Sequence, residues 1–162
     1  MIGLFKSMSV TFKTMLRKPV TVQYPDKHLP MSSRYKGFPV LLWDDKVGEP
    51  ACTGCGVCMR YCPTECMTTA MKENPLAKEG KSTRKKIIDT FEIKWERCIL
   101  CGICVEVCNF DAIVMSDFHE EADGSRGGLV ADLPKLLEKG RDYQKRAGIT
   151  VGQSATEEEQ KS

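Results

Sequence analysis

Eight cysteines stand in two copies of one spacing, Cys52, Cys55, Cys58, Cys62 and Cys98, Cys101, Cys104, Cys108, and any fold open to this chain has to gather them. Each copy reads Cys-x2-Cys-x2-Cys-x3-Cys. Gly54 and Gly56 lie within the first run and Gly102 within the second. Three thiols at such intervals suit a tight loop wrapped around three corners of an inorganic core, because glycine takes backbone angles closed to other residues and lets N–H groups approach the sulfurs. The fourth corner is beyond the loop's reach. If the chain turns helical after the third cysteine, Cys62 lies one turn past Cys58 on the same face, displaced by about 6 Å at the usual rise per residue. That step carries its thiol toward a second core.

Paired runs of this spacing ligate two 4Fe-4S clusters, the fourth cysteine of each run serving the other cluster. The rule assigns Cys52, Cys55, Cys58 and Cys108 to one cluster, and Cys98, Cys101, Cys104 and Cys62 to the other. Zinc is the rival metal, but zinc motifs present cysteines as two separated pairs rather than as three evenly spaced thiols plus a fourth. Disulfides suit an oxidising compartment. The N-terminal stretch is basic without the continuous apolar region and small-residue cleavage site of a secretory signal, so reduced thiols in a reducing compartment are expected.

At 162 residues and 41% hydrophobic composition the chain amounts to one domain with extensions, and no apolar run is long enough to span a bilayer. The net charge of +2 conceals an asymmetry. Lys6, Lys13, Arg17, Lys18, Lys27, Arg34 and Lys36 face a single acid, Asp26, in the first 36 residues. Residues 2 to 18 fit an amphipathic helix, with Phe5, Met8, Phe12, Met15 and Leu16 on one arc, Ile2 and Leu4 flanking it, and Lys6, Lys13 and Arg17 opposite; Pro19 ends the pattern. An apolar stripe with a basic face matches a helix on a membrane surface or a neighbouring subunit, the plainer alternative being a helix docked on its own core.

Residues 20 to 50, with Pro25, Pro30, Pro39 and Pro50, read as an extended arm that needs something to lie against. Residues 67 to 97 form an insertion whose charged middle, Lys72 to Lys86 with Pro75 and Gly80, predicts an exposed loop or hairpin tip. Phe91, Ile93 and Trp95 alternate with charged residues as in a half-buried strand. Ala112, Ile113 and Val114 predict a matching strand over the second cluster. A surface helix is expected over 129 to 146 through Leu133, Leu136 and Leu137, with Pro134 in its first turn. From Ala147 on, the small and polar composition ending in Glu157, Glu158 and Glu159 reads as a flexible or partner-bound tail. The expected divisions are 1–50 (helix and arm), 51–117 (cluster domain), 118–146 (C-terminal extension) and 147–162 (tail).

Thr11-Phe12-Lys13, Lys18-Pro19-Val20-Thr21-Val22-Gln23-Tyr24-Pro25, Arg34-Tyr35-Lys36-Gly37, the two cysteine runs, Phe91-Glu92-Ile93 and Asp111-Ala112-Ile113-Val114 together resemble the ferredoxin-like subunit I of respiratory NADH:quinone oxidoreductase, complex I. The resemblance runs from about residue 3 to residue 140. It implies an α+β, ferredoxin-like core with two 4Fe-4S clusters and an N-terminal amphipathic helix at the membrane surface. It also implies an electron relay toward the last cluster beside the quinone site. Expected partners are the neighbouring iron–sulfur and quinone-site subunits, and the membrane through residues 1–18, with no nucleic acid. The expected location is peripheral, on the cytoplasmic side of the cell's inner membrane. No phosphate-cradling glycine loop or Ser/His/Asp arrangement occurs, so no catalytic residue is expected in this chain. Two other classes fit less well: the equivalent subunit of an energy-converting hydrogenase or of a ferredoxin- or deazaflavin-fed quinone reductase, and a free ferredoxin, which would be short and acidic without a basic helical arm.

Five further features bear on the site. Arg60, Lys94 and Arg97 lie near ligands in sequence, either to offset cluster charge or as surface cations. Asn109 stands where the first run has Pro63, and its amide either donates toward the cluster bound by Cys108 or caps the next turn. Cys66, the ninth cysteine, reads as a small buried hydrophobe near a cluster, with ligand exchange or redox sensing as the alternative. His28 and His119 read as surface or interface residues, with proton uptake near the quinone site as the alternative.

Overall fold

The computed structural model describes residues 2–32, 34–125 and 127–151. The side chain of Ile2 and residues 152–162, which include most of the expected tail, lie outside what is described. The chain divides into two compact units, Met1–Ser33 and Arg34–Ser162.

The first unit contains one helix, α1 (Ile2–Met15), one turn shorter than the pattern up to Pro19 predicts. Its apolar side chains are in solvent, with Phe5 68% exposed, Phe12 59% and Met15 72%. Thr11 and Thr14 turn their hydroxyls back onto backbone carbonyls of the preceding turn, which satisfies polar groups without any neighbouring element.

The second unit is built by two antiparallel closures. Strand β1 (Pro39–Leu41) pairs with β6 (Ile113–Met115), Val40 opposite Val114, so a strand ahead of the first cysteine run meets a strand behind the second. Strand β4 (Met67–Glu73), just after the first run, pairs with β5 (Lys86–Lys94), just before the second. Between β1 and the first run, β2 (Trp43–Asp44) and β3 (Glu49–Pro50) form a small hairpin. The stretch 39–50 is therefore extended but paired, with Val40, Leu41 and Leu42 at most 1% exposed.

The insertion is a hairpin with a helical turn, α3 (Pro75–Lys78), at its tip. Phe91 and Ile93 are buried as their alternation predicts, whereas Trp95 is buried from a 3-10 turn (Trp95–Arg97) that bends the chain into Cys98. A buried polar knot ties this hairpin to β3. Glu49 is 2% exposed and accepts hydrogen bonds from Ser82 at 2.6 Å, Asn74 at 2.7 Å and Arg84 at 2.9 Å, while Arg84 also pairs with Asp44 at 2.7 Å. Burial alone would push the Glu49 carboxyl up; the three donors outweigh it and hold the group below the ordinary carboxylate range.

The C-terminal part differs from the expected surface helix. Val130 and Ala131 form β7, which adds to β5 opposite Ile93 and Lys94, and Asp132 then caps α5 (Leu133–Ala147) by accepting from the Lys135 N–H. This helix belongs to the core: Leu136 is fully buried, and Gln144 both donates to and accepts from the Trp43 backbone at 2.9 Å. Gly140 touches β1 so closely that a Cβ there would lie 1.8 Å from the Leu41 carbonyl oxygen. Cations on α5 also cover aromatic faces, Lys139 over Phe118 at 3.9 Å and Arg141 over Trp43 at 3.8 Å.

Gly140→Ala sets two effects in opposition. Helix propensity favours alanine by about 1 kcal/mol, but a 1.8 Å contact forces α5 off β1, and overpacking of that kind costs roughly 3 kcal/mol. The expected outcome is a net loss of about 2 kcal/mol, read as a lower thermal midpoint; an equal or higher midpoint would show that α5 does not pack on Leu41.

Candidate metal centres

Both cysteine loops have the same backbone. Gly54 and Gly56 take φ 74° and 72°, and Leu100 and Gly102 take φ 55° and 83° at matching places. At Gly54 a side chain is excluded twice, by its dihedral and because a Cβ would lie 2.8 Å from the Ala70 carbonyl on β4. Each loop then enters a short helix that carries the third cysteine: α2 (Val57–Tyr61) holds Cys58, and α4 (Ile103–Glu106) holds Cys104. Contrary to the helical step expected from the spacing, Cys62 is not on the helix. It is the C-cap of α2, with extended backbone at φ −73° and ψ 116°, and its N–H bonds to the Met59 carbonyl.

The thiols gather around two cavities. Cys52, Cys55, Cys58 and Cys108 line one, walled by Leu41, Thr69, Phe91, Phe110 and Ile113. Cys98, Cys101, Cys104 and Cys62 line the other, with Cys66, Met67 and Met115. Ala112 and Ile113 face the first cavity, which corrects the expectation that they cover the second, because they follow Cys108 to the place where that cysteine goes. The rest of β6 reaches the second cavity through Met115.

Among the described residues no group of three or more His, Cys, Asp or Glu converges as a single ion requires; the sulfurs rim a volume instead. The lining fits a sulfur-rich anionic group. The Gly54 N–H donates to Cys52 Sγ and the Ala112 N–H to Cys108 Sγ, each at 3.4 Å. Thr69 Oγ1, in the wall of the first cavity, is buried with no hydrogen-bond partner among the described residues.

Burial dominates thiol acidity. It pushes Cys52 up to about 12, and the neighbouring Cys58, Cys108 and Cys55 add to the rise. Burial with the Cys108 charge takes Cys58 to about 11; burial with the Cys58 and Cys101 charges takes Cys104 to about 12. Cys98 moves down instead, because the Cys66 thiol hydrogen-bonds to it. The helices that carry Cys58 and Cys104, α2 and α4, pack against each other.

A 4Fe-4S dicluster domain matches residues 51–112. An NADH-quinone oxidoreductase subunit I 2 from Geobacter metallireducens is 34% identical over 84% of this chain and 97% of its own length, and one from Streptomyces coelicolor is 39% identical over 84% and 68%. The chain belongs to the NADH-quinone oxidoreductase subunit I family. A further subunit I 2, from Symbiobacterium thermophilum, is 35% identical over 85% of this chain, which spans 55% of that protein's length. Membership in the subunit I family and the dicluster domain make two 4Fe-4S clusters the cofactors.

In this subunit I chain Arg60, Lys94 and Arg97 are all exposed, in keeping with the surface-cation alternative. The cation that reaches a cysteine loop is Lys36, whose Nζ donates to the Cys101 carbonyl at 3.4 Å and lies beside Gly102. Its only advance signal was its place in Arg34-Tyr35-Lys36-Gly37. Asn109 is exposed, and the donor to Cys108 is the Ala112 backbone. Cys66 is buried as expected, yet its Sγ lies 3.4 Å from Cys62 Sγ. His119 packs edge-on against Tyr35 at 5.6 Å, and His28 against Tyr24 at 5.2 Å.

A ligating thiol must lose its proton, and burial holds the protons of Cys52, Cys58 and Cys104 up to about pH 11 or 12, so a metal bound there would have to displace them. Raising pH lowers the proton competition, so cluster loading at limiting iron and sulfide is expected to rise between about pH 7 and 9. Proton release in a pH-stat should accompany it. Loading that is flat with pH and releases no protons would mean the thiols are already ionised.

Proposed function

We propose that this chain is the electron-relay subunit of a membrane-bound NADH-quinone oxidoreductase, with electrons passing through two 4Fe-4S clusters toward the cluster at the quinone site. The observation that carries the reading is the division of the thiols, Cys62 standing among those of the second run and Cys108 among those of the first. On that basis Cys52, Cys55, Cys58 and Cys108 hold one cluster, and Cys98, Cys101, Cys104 and Cys62 hold the other. When bound, the clusters supply one-electron carriers.

The chain's own residues fix geometry and exclude water. Because α2 links Cys58 of one set to Cys62 of the other, and α4 links Cys104 to Cys108, neither set moves without the other. Tunnelling distance is held by two short helices instead of by a flexible join. Leu41, Phe91, Ile113, Met67 and Met115 close the walls with apolar surface, which keeps solvent reorganisation small. The enzymatic activity belongs to the whole assembly, and residues 51–117 supply its cluster-bearing part.

Partners on this reading are the neighbouring iron–sulfur and quinone-site subunits. No helix among the described residues is long and apolar enough to cross a membrane; the location on this reading is peripheral, on the cytoplasmic side of the membrane. The exposed Phe5, Met8, Phe12 and Met15 of α1, with Lys6, Lys13 and Arg17 on the same helix and the turn after it, support contact with the membrane surface or a neighbouring subunit.

Two experiments test the proposal in the complex purified through this chain. Cys62→Ser should disturb the EPR signal that Cys98→Ser disturbs, and Cys108→Ser the signal that Cys52→Ser disturbs; the opposite grouping would mean each run keeps its own fourth ligand. Deleting residues 1–18 should leave iron and sulfide content intact while NADH-driven quinone reduction and membrane recovery fall. A truncated chain that stays assembled and active would overturn the role given to α1.

A further inference from the structure

The two cysteine runs can be laid on one another position for position, pairing Cys62 with Cys108, Thr64 with Phe110 and Cys66 with Ala112. The backbone keeps that repeat beyond the loops: Glu65 and Asp111, matched residues, both take positive φ, 49° and 45°. The side chains break it. At the second cavity Cys62 Sγ has Thr64 Oγ1 at 3.5 Å and Cys66 Sγ at 3.4 Å. Cys66 is 3% exposed and lines the same cavity as Cys98. At the first cavity the matched positions carry Phe110 and Ala112, which put only carbon beside Cys108; its donor there is the Ala112 backbone N–H.

Chemistry fixes the direction of the Cys62–Cys66 contact once Cys62 is a ligand. A metal-bound thiolate has no proton, so the bond exists only if Cys66 keeps its own and donates it. A third negative sulfur beside Cys62 and Cys98 in a buried place is opposed by both neighbours. Cys66 is therefore a neutral thiol whose one proton is directed at the Cys62 sulfur, and Thr64 is a hydroxyl beside the same sulfur. Donors to ligand sulfur favour the more negative, reduced state of a cluster.

We infer that Cys66, assisted by Thr64, is the tuning donor of the cluster in the second cavity, and that it makes this cluster more easily reduced than it would be without that donor. The inference rests on the ligand assignment proposed above. Cys66 is not itself a ligand in this scheme, because Cys62 already completes the second set of four.

The test is an EPR redox titration of the full complex carrying Cys66→Ala, Cys66→Ser or Thr64→Val. One neutral hydrogen bond is worth on the order of 1 kcal/mol, so Cys66→Ala should lower the reduced-to-oxidised ratio of one cluster about fivefold at fixed ambient potential. The affected signal should be the one disturbed by Cys98→Ser, with the other unmoved and iron content full. Cys66→Ser, which keeps a donor, should recover most of the ratio, and Thr64→Val should shift the same signal the same way. If Cys66→Ala fails to assemble, Thr64→Val carries the decision. An unchanged ratio, an equal shift of both signals, or loss of iron in Cys66→Ala would overturn the inference. Wild-type complex whose chain holds no iron and sulfide would instead sink the cluster reading on which it depends.

Discussion

Pairing β1 with β6 joins stretches far apart in the chain, pairing β4 with β5 folds the segment between the cysteine runs back on itself, and the site follows from the two closures together. Val40 opposite Val114 fixes where the chain re-enters after Cys108. Met67 opposite Ile93 fixes where it leaves after Cys62 and returns before Cys98. With both closures made, each fourth cysteine leaves its own loop behind and faces the other one. The strand pairs are short, so side-chain packing has to hold them, and the buried row of Leu41, Phe91, Ile93, Ile113 and Leu136 provides it. The core and the cavity walls are in large part the same residues, and a substitution at Leu41, Phe91 or Ile113 acts on stability and on the site at once.

Hydrogen-bonded knots fasten what the small sheets cannot. Glu49 is buried beyond the reach of water but is fully met by Ser82, Asn74 and Arg84, so its charge is a tether between the hairpin tip and the strand that leads into Cys52. Removing Arg84 would leave the carboxylate buried with less compensation, the costly half of a buried ion pair. On the opposite side, Gln144 extends the backbone pairing of Trp43 as a further strand would, so α5 closes an edge of the unit with a side chain.

Spacing along the chain made the cysteine runs, the loop glycines and the strand through Phe91 and Ile93 legible, because each depends on neighbours a few residues away. What could not be read depends on residues brought from elsewhere. Gly140 looks like a weak point in a helix until Leu41 is seen against it. Val130 and Ala131 continue a helical pattern in sequence, yet the open edge of β5 takes them as a strand. Lys36 reaches Cys101 across 65 residues, whereas Arg60, Lys94 and Arg97, close in sequence, point into solvent. Asn109 was weighed as a donor because side-chain chemistry is visible in a sequence; the Ala112 N–H that does the task is a backbone group any residue at that position but proline would carry. The helical step to Cys62 failed for a similar reason, since the extended cap after Tyr61 is set by where β4 must begin.

Leu100, Glu65 and Asp111 hold left-handed backbone without being glycine. Each such residue costs about 1–2 kcal/mol, and nothing local in the sequence asks for it. Free of metal, these turns have a reason to relax, so acquiring shape and acquiring iron become one event in the life of the chain. The practical consequence concerns supply. Chains made faster than iron and sulfide arrive lack the restraint that keeps their binding turns formed, and their yield as finished subunits is set by cluster delivery more than by the rate of synthesis.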